Sequence, residues 1–364
     1  MEEHKDFMVE WRRLGDIADI GTGSNNREDA CENGLFPFFV RSQEVLRINT
    51  YLYDEEAILI PGEGGIGDIF HYINGKYGLH QRTYRVHPAT KTVLGKYIYY
   101  YLFENFKSYI NQKSFKSTAA SIRKPMLLDF QIAVPPFSEQ TRIVGILDTF
   151  TSAVENLKQQ IAQRRKQYEH YRDKLLDLEG KEGVEMKMIG DVASFGKGRI
   201  GASFLSPHNY VSVENLVKDK GGRVDTETVP IDGKWSCYHE NDILIGNIRP
   251  YLRKIWLSDR EGGTNGDVIV IRPNEEVIPH YLYYILSSEK FFVYYNQTAK
   301  GGKMPRGEKA RVLSFPVPLF SRVKQQRIVS ILDTFEASIA NLEQQLAQRE
   351  RQYEYYRNKL LTFE

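Results

Sequence analysis

Residues 140–176 read QTRIVGILDTFTSAVENLKQQIAQRRKQYEHYRDKLL, and residues 325–361 read QQRIVSILDTFEASIANLEQQLAQRERQYEYYRNKLL. The offset is 185, and 24 of the 37 positions are identical without a gap. Chance does not produce that, so the chain is an internal duplication and each stretch is read beside its counterpart. In the first copy Ile143, Leu147, Phe150, Val154, Leu157, Ile161, Tyr168, Tyr171, Leu175 and Leu178 step by four and three, with Arg164 at the one missing place. The second copy steps through Ile328, Leu332, Phe335, Ile339, Leu342, Leu346, Tyr353, Tyr356, Leu360 and Phe363, broken at Arg349. An apolar seam recurring every 3.5 residues over five heptads predicts a coiled-coil helix. A stripe that long needs an equally long surface to cover it, and the other copy supplies one. Related halves that meet face to face form an isologous contact, so the pairing is expected to be antiparallel.

At 364 residues the chain has room for two or three domains. The net charge of +2 excludes a global polycation, so any nucleic-acid surface must be local. Cys31 and Cys237 are far apart with no CxxC, which points to a reducing compartment and argues against disulfides or a zinc site. The first residues, MEEHKDFMVEW, are polar and acidic, unlike a signal peptide, and no apolar run is long enough to span a membrane. A cytoplasmic protein without membrane contact is therefore expected.

Residues 1–137 are expected to form a first globular head, with short strands at Phe36–Val40, Ala57–Ile60 and Arg82–Val86 and a helix over Lys96–Tyr109. Pro135, Pro136 and Ser138 announce a helix, with Ser138 as the N-cap. The first rod is assigned to 138–178, a charged linker to 179–185, the second head to 186–320 and the second rod to 321–364. The heads share fragments such as Gly15-Asp-Ile-Ala and Gly190-Asp-Val-Ala, or Ile58-Leu-Ile60 and Ile243-Leu-Ile245. Their loops diverge almost completely. Rods kept alike beside heads that differ suit two related heads that bind two different things. The expected class is α+β: two related mixed α/β domains joined by two long helices in an antiparallel coiled coil, a pseudo-two-fold repeat.

The sequence carries no recognisable catalytic motif. Gly62-Glu-Gly64-Gly-Ile-Gly67 fits GxGxxG, but DIFHYINGKYG follows where a dinucleotide site needs a helix, so a glycine turn is the better reading. No P-loop, nucleophile elbow or amino-methyltransferase signature occurs, and His208, Cys237 and His239 lack metal-like spacing. Two basic stretches instead stand at equivalent places. Residues 107–124 carry Lys107, Lys113, Lys116, Arg123 and Lys124 with no acid; residues 290–311 carry Lys290, Lys300, Lys303, Arg306, Lys309 and Arg311 against Glu308. Interleaved Ser, Thr, Asn and Gln suit DNA, since cations anchor on phosphates while amides and guanidinium groups read base edges. A second candidate face is Asn247, Arg249, Arg253 and Lys254, whose counterpart Gly62–Asp68 has no cation; Arg41, Gln43, Gln81 and Arg82 are candidates to serve there instead. Each of these residues singly reads as structural or solvated before it reads as a base contact. The aromatic runs Tyr97–Tyr101 and Tyr281–Tyr284 read as core helix faces.

The whole chain resembles the specificity subunits of type I restriction–modification systems. The resemblance rests on the order head, rod, head, rod and on the rod entrances Val134-Pro-Pro-Phe-Ser-Glu-Gln140 and Val317-Pro-Leu-Phe-Ser321. It rests also on Ile-Val-x-Ile-Leu-Asp-x-Phe after each entrance, and on Ile243-Leu-Ile-Gly-Asn-Ile-Arg-Pro250. One departure is Arg322-Val323-Lys324-Gln325 where the first entrance has Glu139-Gln140. The resemblance implies that each head reads half of a split, asymmetric double-stranded DNA target and that the rods act as spacer. It implies docking of two methyltransferase subunits using S-adenosylmethionine, and of restriction/translocase subunits using ATP and magnesium; none of these cofactors is expected on this chain. The alternatives are a standalone coiled-coil DNA-binding regulator and a fused nuclease or methyltransferase. A regulator would bind DNA without a methyltransferase partner, and a fused enzyme would cleave or methylate alone.

Overall fold

The computed structural model describes residues 7–113, 121–177, 184–297 and 299–363. Two compact units emerge, residues 1–159 with 343–364 and residues 160–342. Each unit holds one head together with a part of each long helix.

The first head is built on a six-stranded sheet in the order Ala18–Thr22, Thr83–Pro88, Tyr53–Pro61, His71–Leu79, Phe36–Phe39, Val45–Ile48. All neighbours are antiparallel except Phe36–Phe39 beside His71–Leu79. Its central run Ala57-Ile-Leu-Ile60 is wholly buried because both faces are covered. Ile58 and Ile60 point to the helix Gly95–Lys113 and its core; Ala57 and Leu59 pack with Phe39, Tyr77 and Leu79 on the other side. Each such large apolar side chain contributes about 1.5–3 kcal/mol. The expected strands and helix are all present: Phe36–Phe39 is one residue shorter than expected, Thr83–Pro88 is shifted towards its end, and Tyr53–Pro61 and Gly95–Lys113 are longer.

The second head keeps this frame. Its central sheet runs Ala193–Phe195, Val268–Pro273, Ile243–Gly246, Ile255–Leu257. The pairs Ile243↔Ile271, Leu244↔Val270, Ile245↔Ile269 and Gly246↔Val268 are those of Ile58↔Val86, Leu59↔Arg85, Ile60↔Tyr84 and Pro61↔Thr83, displaced by 185 at every step. A second four-stranded sheet, Arg199–Gly201, Lys234–Tyr238, Gly262–Thr264, Tyr210–Val211, replaces the strands that extend the first head's sheet. The single helix of the first head is here two, Pro279–Leu286 and Glu289–Asn296, where Ser288 caps the second by accepting the Phe291 N–H at 3.2 Å. Tyr97, Tyr281 and Tyr284 are fully buried, as core faces require.

The long helices are Phe137–Leu176 and Arg322–Leu361, 40 residues each, or about 60 Å at 1.5 Å per residue. Ser138 is not the N-cap. The Pro136 carbonyl accepts the Glu139 and Gln140 N–H groups, so the helix starts one residue before Ser138 and places it in the first turn. Leu178 and most of the assigned linker, 178–183, lie outside the described residues.

Inside each unit the two helices run antiparallel. In the first, Phe150 stacks on Tyr356 at 5.3 Å and meets Tyr353 at 6.4 Å, while Lys158, further along, pairs with Glu350 at 3.0 Å. In the second, Phe335 stacks on Tyr171 at 5.4 Å and meets Tyr168 at 6.5 Å. The two arginines that interrupt the seam have one job: Arg349 lies over the Phe150 ring at 5.8 Å and Arg164 over Phe335 at 5.9 Å. A guanidinium on an aromatic face keeps the apolar contact while its charge stays wet. Among the seam residues Leu147, Ile161 and Leu332 are buried, whereas Phe150, Val154, Leu157, Tyr168, Phe335, Ile339, Leu342, Leu346 and Tyr353 are half-buried. A stripe covered by one partner helix cannot be enclosed on all sides.

A duplicated hydrogen-bond set ties each head to its helix. Gln140, fully buried, accepts the Leu94 N–H at 2.9 Å and donates to Thr92 and Pro135 carbonyls at 3.1 and 2.9 Å. Gln325, equally buried, accepts from Ile278 at 2.8 Å and donates to Glu276 and Phe320 at 3.1 and 2.8 Å. The changed second entrance therefore keeps the same staple. Tyr100 donates to Asp148 at 2.7 Å and Tyr284 to Asp333 at 2.6 Å. A buried amide with its polar atoms satisfied fixes one orientation, since any slip would orphan a buried group.

Candidate nucleic-acid interface

Both heads close the end of the central sheet in one way. After the central strand the chain forms an isolated bridge to the segment before a short helix, Glu63↔Ser121 in the first head and Ile248↔Arg306 in the second. Gly62 N–H donates to Arg82 O and Asn247 N–H to Asp267 O. All these positions correspond at 185, so the two basic stretches and the two glycine-or-arginine loops do meet at one sheet end. The side chains there are not alike.

In the first head, Arg41 and Arg82 both point one nitrogen, Nη1, at the Glu63 carboxylate, at 2.9 and 3.0 Å. The hydrogen bonds from Arg82 and then Arg41 hold Glu63 below the usual carboxylate range. One acid thus orients two forks, and their other nitrogens have no partner among the described residues. His80 lies behind them and is buried; its Nδ1 accepts the Arg82 N–H at 3.0 Å. Burial first, then the Arg41 and Arg82 charges, keep His80 below the ordinary histidine value, hence neutral with its proton on Nε2. A cavity of 360 Å³ opens here, lined by Arg27, Arg41, Ser42, Glu63 and His80. Of the four candidates, Arg41 and Arg82 converge on Glu63, an acid the sequence reading missed, while Gln81 is tied to Asn26 at 2.7 Å and Gln43 is exposed two residues from Arg41. Glu63 stands inside a stretch read only as a glycine turn.

The basic stretch 107–124 is weaker than its composition. Lys107 is taken by Asp68 at 2.5 Å, 39 residues away in sequence. Arg123 and Lys124 are exposed at the start of the helix Lys124–Leu128. Lys113 ends the helix Gly95–Lys113. Its side chain and Lys116 lie outside the described residues.

In the second head one of these charges is reversed, and Ile248 stands where the first head has Glu63. Asp267 stands where the first head has Arg82, and it pairs with Arg306 at 3.2 Å. Lys309 donates to the Gly266 carbonyl at 2.9 Å, and Arg311 covers the Tyr294 ring at 5.0 Å. Lys300 and Lys303 remain exposed on the hairpin that Lys300 and Arg306 close.

Three candidates are corrected. Asn247 is buried and accepts the Tyr295 hydroxyl, so its amide is an internal link with no reach to DNA. Lys254 donates to the Val213 carbonyl at 2.7 Å, and burial holds it below the ordinary lysine value. Arg253 is held by Glu289 at 2.7 Å and Asp219 at 2.9 Å. These three fasten loops. Arg249 alone of that set makes no side-chain bond among the described residues.

His208 pairs with Asp225, and the Cys237 thiol approaches the Lys197 carbonyl at 3.4 Å, away from any shared ligand geometry. Among the described residues no His, Cys, Asp and Glu cluster suits a metal, and no helix is long and apolar enough to cross a membrane.

Two related α/β heads, each stapled to a long helix, define a class of protein built from a duplicated head-and-helix unit. The family described as type I restriction modification DNA specificity domain matches the chain twice, over residues 8–164 and 181–351, and the chain belongs to that family. It is 25% identical to the type I restriction enzyme EcoDI specificity subunit of Escherichia coli, over 93% of this chain and 84% of that one. It is 27% identical to a putative type I restriction enzyme specificity subunit of Haemophilus influenzae, over 98% of this chain and 96% of that one. The fold is similar to that of the type I restriction–modification S subunit from M. genitalium, with a TM-score of 0.67 at 16% identity over 100% of this chain and 99% of that one. The chain is a DNA specificity subunit.

Proposed function

We propose that the two heads read the two halves of a split, asymmetric double-stranded DNA target, each with the closed end of its central sheet. The observation that carries this reading is a backbone kept in register to the residue while the side chains on it change: Arg82, paired with Glu63, gives way at the equivalent place to Asp267, paired with Arg306 from the bridged segment. A guanidinium offers donors, suited to guanine; a carboxylate accepts, suited to cytosine. Exposed Lys300, Lys303, Arg123 and Lys124 supply phosphate contacts that set register without reading sequence.

The long helices act as a spacer and as the seat of two methyltransferase subunits, which bring S-adenosylmethionine. Restriction/translocase subunits bring ATP and magnesium. This chain supplies the address, does no chemistry itself and binds none of those cofactors, and it works in the cytoplasm where the DNA lies.

The test is to produce the chain with its methyltransferase and map every methylated site. Two short half-sites separated by a fixed gap are expected, and a heptad added to each long helix changes the gap alone. A single uninterrupted site would end this reading. Replacing Lys300 and Lys303 by Gln makes the slope of log affinity against log salt shallower by about 0.9 for each phosphate no longer neutralised.

A further inference from the structure

The loop that follows the central strand takes left-handed residues in both heads. The first head supplies Gly64, with φ +72°. At the equivalent place the second head puts Arg249, with φ 54° and ψ 68°. A side chain there strains the backbone, and the following Pro250 constrains it further, because proline restricts the residue before it. Arg253, later in the same loop, is also left-handed at φ 49°, but its guanidinium is tied to Glu289 and Asp219, which leaves Arg249 as the left-handed arginine without such a tie among the described residues.

The strained geometry is held from outside. Arg249 N–H donates to the Pro305 carbonyl and its carbonyl accepts Leu252 N–H, both at 2.8 Å, while Ile248 bridges to Arg306. The side chain is half-buried, and its Nε is out of water with no hydrogen-bond partner among the described residues. Its neighbours differ: Arg253, Arg306 and Lys254 are all bonded within the head. A guanidinium that is partly desolvated and lacks an acceptor gains most from one brought by a ligand.

We infer that Arg249 is a specificity-determining residue of the second head, its fork reading the O6 and N7 edge of a guanine. This rests on the reading that the sheet end faces DNA. A phosphate would be the other acceptor for the same fork. The long, exposed Lys300 and Lys303 side chains beside it suit phosphate, whereas a fixed backbone and a sunken Nε suit one defined edge.

The experiment takes the full chain in complex with its methyltransferase and selects DNA from a pool randomised in both half-sites, for wild type, Arg249→Gly and Arg249→Lys. Arg249→Gly should melt at the same temperature as wild type or higher, because glycine fits the φ. Its preference in the first half-site should be unchanged, while discrimination at one G·C pair of the second half-site falls about ten- to a hundredfold. Arg249→Lys, charged but without the fork, should fall between. An equal drop in affinity on all sequences would make the contact a phosphate and overturn the inference, as would unaltered preference or a lower melting temperature in Arg249→Gly. A wild-type complex that selects no split target would instead sink the two-head reading, and this assignment with it.

Discussion

The two heads were copied from one ancestor segment and have diverged unevenly. Where a head meets its helix, the contacts are duplicated almost atom for atom: Gln140 with Gln325, Tyr100 with Tyr284, Phe150 under Arg349 with Phe335 under Arg164. At the sheet end the same backbone carries different side chains, with Asp267 where the first head has Arg82 and Ile248 where it has Glu63. Joints are constrained by burial, since an altered buried amide leaves unpaired groups behind. Exposed loop tips are free to change, and binding function settles there.

The largest effect should come from breaking that contrast outright. Replacing residues 1–137 with a head of another specificity should lower affinity for the original first half-site about a thousandfold or more, with the second half-site untouched. Methylation mapping reads both halves at once, and a change in both would mean the heads do not act separately.

Next in size are the clasps. Phe150→Ala and Phe335→Ala should each cost about 2–3 kcal/mol, less than a fully enclosed ring because each is half-buried. Denaturant unfolding should give like decreases, and a clear inequality would show that the symmetry is geometric but not energetic. Gln140→Ala and Gln325→Ala strand a buried N–H and two carbonyls, at about 1–3 kcal/mol each.

The smallest effect concerns Glu63, which sits in a solvent-exposed pairing. Its carboxyl should titrate by NMR below the ordinary glutamate value of about 4.3 and move back up in Arg82→Ala. A depressed folded value gives stability that is present above the unfolded pKa and disappears as pH falls through the folded one. The Arg41–Glu63–Arg82 group should therefore persist through neutral and mildly acidic pH. An unshifted Glu63 would mean the two forks are not held by it.

Much of the architecture is legible in the chain itself, because periodicity and repetition are local signals. The 3.5-residue step names the long helices, the offset of 185 names the duplication, and the shared strand fragments name the frame. The sites are only half legible. The stretches singled out do meet, yet Asn247, Lys254 and Arg253 are fastened inside the head, and nothing along the chain marks Glu63 as the acid between two arginines. Even Ser138, a good cap by type, gives way to a helix that begins on the Pro136 carbonyl.

By itself, then, the sequence determined two copies of one head, two matched helices and the family they belong to. Only the tertiary structure decided which cations are committed and which are available. Lys107 finds Asp68 and Arg306 finds Asp267, each 39 residues away along the chain, while Arg249 finds no acid among the described residues. A charge is neutralised by whatever carboxylate the fold brings within about 3 Å, and no count along the chain records that distance.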